Sequence, residues 1–171
     1  MSRRSIRPLR TPLVLLAGYA ALLIASGVTS RARHIPLGTT VCFDDWCASV
    51  MHMYEQHAAS PAKKTVVATL RISSIARGRH QHASNPSVSF VDTDGNWYRA
   101  DRRVGSFPDI RTSIAPGASF RTDVAAIVPA RTPITAVRLW EGAWIDRIIP
   151  FDEEAPFHQK TMYVVRNRSG A

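Results

Sequence analysis

Residues 65–75 alternate. Val66, Ala68, Leu70 and Ile72 fall on one face and Thr65, Thr69, Arg71 and Ser73 on the other, the period of two that a half-buried β-strand requires. The same grammar recurs down the chain. Short runs at 87–91 and 96–100 flank Thr93-Asp94-Gly95-Asn96, whose Asp-Gly pair tolerates the positive φ of a tight hairpin. Ala115-Pro116-Gly117 reads as another turn before 119–128, where Phe120, Thr122, Val124, Ala126 and Val128 share a face. Segments 134–140 and 143–149 flank Glu141-Gly142 as a further hairpin candidate, and 48–54 and 161–165 bring the expected strands to about eight. Spacing this regular predicts an all-β sandwich or barrel. Eleven prolines agree, since proline cannot donate to a ladder and collects at turns and edges. Segments 58–64 and 76–84 read as loops, and no stretch after residue 35 carries a capped helical period.

Ahead of the strands lies a different signal. Residues 11–30 are uncharged, with LVLLAGYAALLIASGV at their centre. As a helix, such a run is roughly 30 Å long, about the thickness of a bilayer's hydrocarbon core. Arg3, Arg4, Arg7 and Arg10 precede it and Arg31 and Arg33 follow, an asymmetry that keeps the amino terminus cytoplasmic and exports the rest. The expected organisation is a basic segment at 1–10, a transmembrane anchor or signal segment at 11–30, a linker at 31–38 and an extracytoplasmic domain at 39–171. Ala25-Ser26-Gly27 offers small residues at signal-peptidase spacing, so cleavage near Gly27 stands beside a single-pass anchor. Tyr19 stands where a lipoprotein site would need cysteine. The arginines also explain the formal charge of +9: from residue 35 onward sixteen basic residues face thirteen acidic ones. The basicity therefore belongs to the targeting segment, and nucleic acid is not an expected partner.

Cys42 and Cys47 are the only cysteines, on the exported side where thiols end as disulfides. The spacing VCFDDWC is not a Cys-x-x-Cys redox centre and supplies no zinc site. A bridge across Asp44-Asp45 is expected as a local staple.

Metal and catalytic chemistry are thinly provided. Met51-His52-Met53 joins thioethers to an imidazole, a donor set that suits copper, but strand alternation puts Met51 and Met53 on one face and His52 on the other. His80 and His82 share a face if extended, yet Arg77 and Arg79 beside them oppose a cation. The Asp92-Thr93-Asp94-Gly95-Asn96 stretch echoes a calcium loop, but Arg103 stands where its bidentate glutamate belongs. Asp152-Glu153-Glu154, with or without Asp146, reads as a solvated loop, and His158 is a lone imidazole near those acids. With no nucleophile elbow, zincin helix or phosphate loop, neither an enzyme nor a cofactor is expected. The aromatics Trp97, Tyr98, Trp140 and Trp144 fall in or beside hairpins, as candidates for a ligand-binding surface.

The succession TVVATLRISS, DGNWY, SIAPGASFRTDVAAIVPA, ITAVRLWEG and a terminal segment with a small acidic cluster resembles the exported bacterial immunoglobulin-like β-sandwich domains of unknown function, a group sometimes mislabelled telomeric-repeat-binding. The resemblance spans about 39–165. It implies an immunoglobulin-like antiparallel β-sandwich of about seven to nine strands after one N-terminal helix, and a binding or scaffolding role. The expected partner is an envelope protein, a peptide or a carbohydrate, with the membrane met through 11–30. The alternative is a periplasmic metal-handling protein, for copper, using Met51, His52, Met53, His80 and His82.

Overall fold

The computed structural model describes residues 10–29, 33–43, 45–57, 60–83, 85–142 and 161–164. A helix, α1 (Arg10–Thr29), is followed among the described residues by ten strands: β1 (Arg33–Pro36), β2 (Thr40–Phe43), β3 (Trp46–His57), β4 (Lys63–Ser74), β5 (Ser87–Asp92), β6 (Trp97–Arg99), β7 (Arg102–Arg103), β8 (Ser119–Pro129), β9 (Ile134–Trp140) and β10 (Thr161–Val164). They form two five-stranded sheets, β1-β10-β9-β5-β6 and β2-β3-β4-β8-β7, packed as an immunoglobulin-like β-sandwich. All pairings are antiparallel except β1 with β10.

The alternation in β4 sets the core. Val66, Ala68, Leu70 and Ile72 are fully buried, facing Phe90, Val137 and Leu139 of the other sheet. Across the ladder Leu70 pairs with Thr122, Ala68 with Val124 and Val66 with Ala126, so the inward phase of β8 is the one its sequence predicts. The opposite face of β4 is less exposed than simple alternation suggests. Val67 and Thr69 are buried there as well, beside Ala125 and Asp123 of β8.

Three strands were not legible as strands. β1 lies within the expected linker: it pairs in parallel with β10, a partner more than a hundred residues away, so no hairpin turn marks it. β2 is short and joined to β3 by the tight turn that carries the cysteines. β7 is two arginines long. These additions take the described strand number past the expected seven to nine. The predicted strand at 143–149 lies outside the described residues; among the described strands β9 is flanked by β5 and β10.

The uncharged run forms its helix, and Leu13, Val14, Leu15, Leu16, Leu22 and Ile24 of α1 are each more than half exposed. Among the described residues, however, no helix is long and apolar enough to cross a membrane. Pro12, Gly18, Ser26 and Gly27 thin a stretch already near the lower limit of a span. The single-pass anchor expected at 11–30 is thus not supported by this helix.

Candidate functional site

The outer face of the first sheet gathers two of the predicted aromatics around an arginine that sequence reading missed. In β9, Arg138 and Trp140 are two residues apart and so share a face. Trp97 of β6 reaches the same face from the far side of β5, because Val91 pairs with both Trp97 and Ala136 while Ser89 pairs with Arg138. The Arg138 guanidinium sits 3.7 Å from the Trp140 ring centroid and 4.3 Å from that of Trp97, and the two indoles meet edge to face at 6.0 Å. Arg138 is only 3% exposed, whereas Trp97 is 49% exposed. A buried cation flanked by π-faces is stabilised by the ring quadrupoles. Held in this way, it fixes the indoles as a rigid surface. Arg138 carried no sequence signal beyond its phase opposite Val137 and Leu139.

Tyr98 belongs elsewhere. It points inward, packs against the core, and donates its hydroxyl to Asp92 Oδ2 at 3.0 Å. Asp92 is the hub of that hairpin: its carboxylate also accepts from the Asp94 and Asn96 amides and from Asn96 Nδ2, at 2.8–2.9 Å. The Asn96 bonds, above all, hold the Asp92 carboxyl below its usual range, against the opposing effect of burial. Burial first, and then the bond to Asp92, push the Tyr98 hydroxyl up. The residues that echoed a calcium loop thus lock a turn, with Gly95 at φ 82°. Trp144, Asp146, the acids at 152–154 and His158 lie outside the described residues.

On the outer face of the second sheet a polar row crosses three strands. Thr69 donates to Asp123 Oδ1 at 2.6 Å, and Tyr54 donates to Asp123 Oδ2 at 3.2 Å. With its only proton given to Asp123, the Thr69 hydroxyl accepts from His52 Nε2 at 3.1 Å. His52 and Tyr54 stack at 5.9 Å. The row superficially resembles a catalytic trio, but in a triad the histidine takes the hydroxyl proton. Here the imidazole presents a donor and the Thr69 hydroxyl keeps its proton, directed at the accepting Asp123 carboxylate, so Thr69 is not activated. Burial, then the charge of Asp123, raise the Tyr54 pKa.

The metal candidates are dispersed. A β-bulge between Val50 and His52 breaks the alternation assumed for Met51-His52-Met53. Met51, expected to share a face with Met53, is instead 38% exposed and accepts a contact from Ser49 Oγ at 3.4 Å. Met53 packs against the core, so the triplet still cannot chelate as a unit. His80 and His82 are exposed in the loop on either side of Gln81, which makes a single bridge to Ile114. Among the described residues no three His, Cys, Asp or Glu side chains converge as a metal set.

Cys42 and Cys47 are directly opposed on β2 and β3 and joined as a disulfide. Beside it Phe43 and Trp46 stack at 4.7 Å, and Trp46 Nε1 donates to Glu141 Oε2 at 2.7 Å, tying the stapled hairpin to the end of β9.

This architecture is a two-sheet β-sandwich. No protein-family model and no curated protein sequence matches the chain. Among solved structures, it is similar to an uncharacterized β-sandwich protein of Clostridium difficile, at 12% identity and a TM-score of 0.54, over 80% of this chain and 96% of that one. It is also similar to a secreted protein of Mycobacterium tuberculosis, at 15% identity and a TM-score of 0.53, over 80% of this chain and all of the other. At such identities the likeness concerns the fold.

Proposed function

We propose that this chain is an exported, non-enzymatic binding module of the kind its sequence resembles, and that it engages an extended segment of another envelope protein. The Trp97–Arg138–Trp140 cluster carries this reading. Tryptophan and arginine are the residue types that dominate binding energy at protein interfaces. Strand β6, which bears Trp97, is the last strand of its sheet among the described residues, and an edge strand can add a peptide by backbone pairing while a neighbouring aromatic pocket takes its side chains.

Export is supported by the arginines ahead of α1, by the disulfide, and by the secreted relative in fold. α1 acts as a cleavable signal: its apolar stretch from Leu13 to Ile24 has a secretory length, and Ala25 and Gly27 stand at peptidase spacing. The folded product begins near residue 28, just ahead of β1.

A photoactivatable cross-linker placed at position 97 in living cells tests the binding surface. A discrete envelope adduct is expected there, lost with Trp140→Ala and absent when the probe sits at position 131. Equal adducts from both positions, or none from 97, would contradict the reading.

A further inference from the structure

The hydrogen-bond phase of β6 decides which of its groups an added strand would meet. Asp92 donates its amide to the Asn96 carbonyl at 3.2 Å, and Ala100 donates its amide to the Val88 carbonyl at 2.9 Å. In an antiparallel ladder the bonded pairs recur at every second residue. Phe90 with Tyr98 is therefore the bonded pair between those two, whereas Val91 with Trp97 and Ser89 with Arg99 are the unbonded pairs. The amides and carbonyls of Trp97 and Arg99 consequently point away from β5, toward the open edge of the sheet. Their side chains are exposed and share the outer face with Arg138 and Trp140.

Backbone and side chains thus coincide: the residues of β6 that can bond an incoming strand are the ones that display a side chain on the tryptophan face. In antiparallel addition the residue bonded to Arg99 has its Cα about 5.5 Å away and its side chain on the same face. The residue two positions later in the added strand meets Trp97 in the same way. Antiparallel pairing is the mode of the neighbouring ladders, β5 with β6 and β5 with β9, and it is the more stable per residue.

Arg99 sets the charge of what can lie opposite it. Among the described residues no carboxylate is within ion-pair distance of its guanidinium, and Asp101, two residues on, lies past the end of β6. Arg138 shares its row, since Ser89 pairs with both. Opposite charges facing across strands are stabilising and like charges destabilising. Trp97 is half exposed, with the Arg138 guanidinium over its ring, and favours an aromatic side chain opposite it.

We propose that β6 recruits an extended acidic segment in antiparallel register and reads the pattern acid-x-aromatic, with the carboxylate opposite Arg99 and the ring opposite Trp97. This rests on the edge-strand reading above and names the chemistry that edge selects.

Fluorescence anisotropy of labelled peptides with the full chain in phosphatidylcholine nanodiscs tests it. The probes are an extended serine and threonine peptide carrying glutamate-x-phenylalanine, its lysine-x-phenylalanine counterpart, and the reversed phenylalanine-x-glutamate. The first is expected to bind about fivefold tighter than either of the others. Arg99→Glu, at an exposed position, should invert the preference so that the lysine peptide binds best, without moving the thermal midpoint. Arg121→Glu, exposed on the other sheet, should leave the order unchanged. Equal binding of the glutamate and lysine peptides, or a preference that survives Arg99→Glu, would overturn the acidic assignment and leave the edge-strand reading standing. Equal binding of the reversed peptide would overturn the antiparallel register. No saturable binding of any peptide would overturn the proposal together with the reading it rests on. A photoadduct from position 97 that joins two copies of this chain would assign the edge to self-pairing and overturn the proposal.

Discussion

Leu70 and Arg71 are adjacent in sequence and opposite in consequence. Leu70 is fully buried and Arg71 exposed. Leu70→Ala should cost about 2–5 kcal/mol through lost burial and the cavity left behind, and Arg71→Ala well under 1 kcal/mol. Thermal or denaturant unfolding checks the contrast, and equal losses would mean the phase of β4 is inverted. Asp92 gives a pH-dependent counterpart. Its folded pKa is lowered, chiefly by the Asn96 bonds, so its contribution is present above the ordinary carboxylate range and is lost as pH falls through the folded value. Asp92→Asn should therefore flatten the loss of stability below about pH 4. A variant whose acid limb matches the parent would show that the hairpin clamp is not a source of that dependence.

Elements announced by their own turns could be read from sequence, whereas elements defined by distant partners could not. Asp94-Gly95 marks the β5–β6 hairpin because a left-handed backbone is cheap for glycine, and Gly95 adopts it at φ 82° with nothing within 4 Å of where a Cβ would stand. Gly95→Val should accordingly cost about 1–3 kcal/mol through backbone strain alone, measurable by equilibrium unfolding and smaller for Gly95→Asn. β1 had no such marker, because a parallel strand is positioned by its ladder and not by a loop. The bulge at Met51 was equally silent: inserting one residue rephases the second half of β3, and no local residue type demands it. The same limit applied to the tryptophan cluster. Its aromatics were visible as candidates, but Arg138 joins them only through the order of three strands. The stapled hairpin is testable on its own. Closing so short a loop contributes about 2 kcal/mol in the chain-entropy model, so Cys42→Ser with Cys47→Ser should lower stability by about that amount while leaving the far-ultraviolet spectrum that of a β-protein.

For the whole molecule, the two sheets divide the work. Their inner faces supply the core, and the outer face of one carries tryptophans beside an edge strand. A two-sheet domain of this kind holds its surfaces rigid without needing them for stability, so surface residues are free to serve recognition. In the function proposed above, the bridge between Cys42 and Cys47 and the helix ahead of β1 go with a location outside the cytoplasm. Mass spectrometry of the protein taken from its own cells, alkylated without reductant, tests that joint claim most directly. The account predicts a chain beginning near residue 28 with Cys42 and Cys47 joined and no thiol labelled. Recovery of the intact chain from the cytoplasmic fraction with both cysteines alkylated would contradict it.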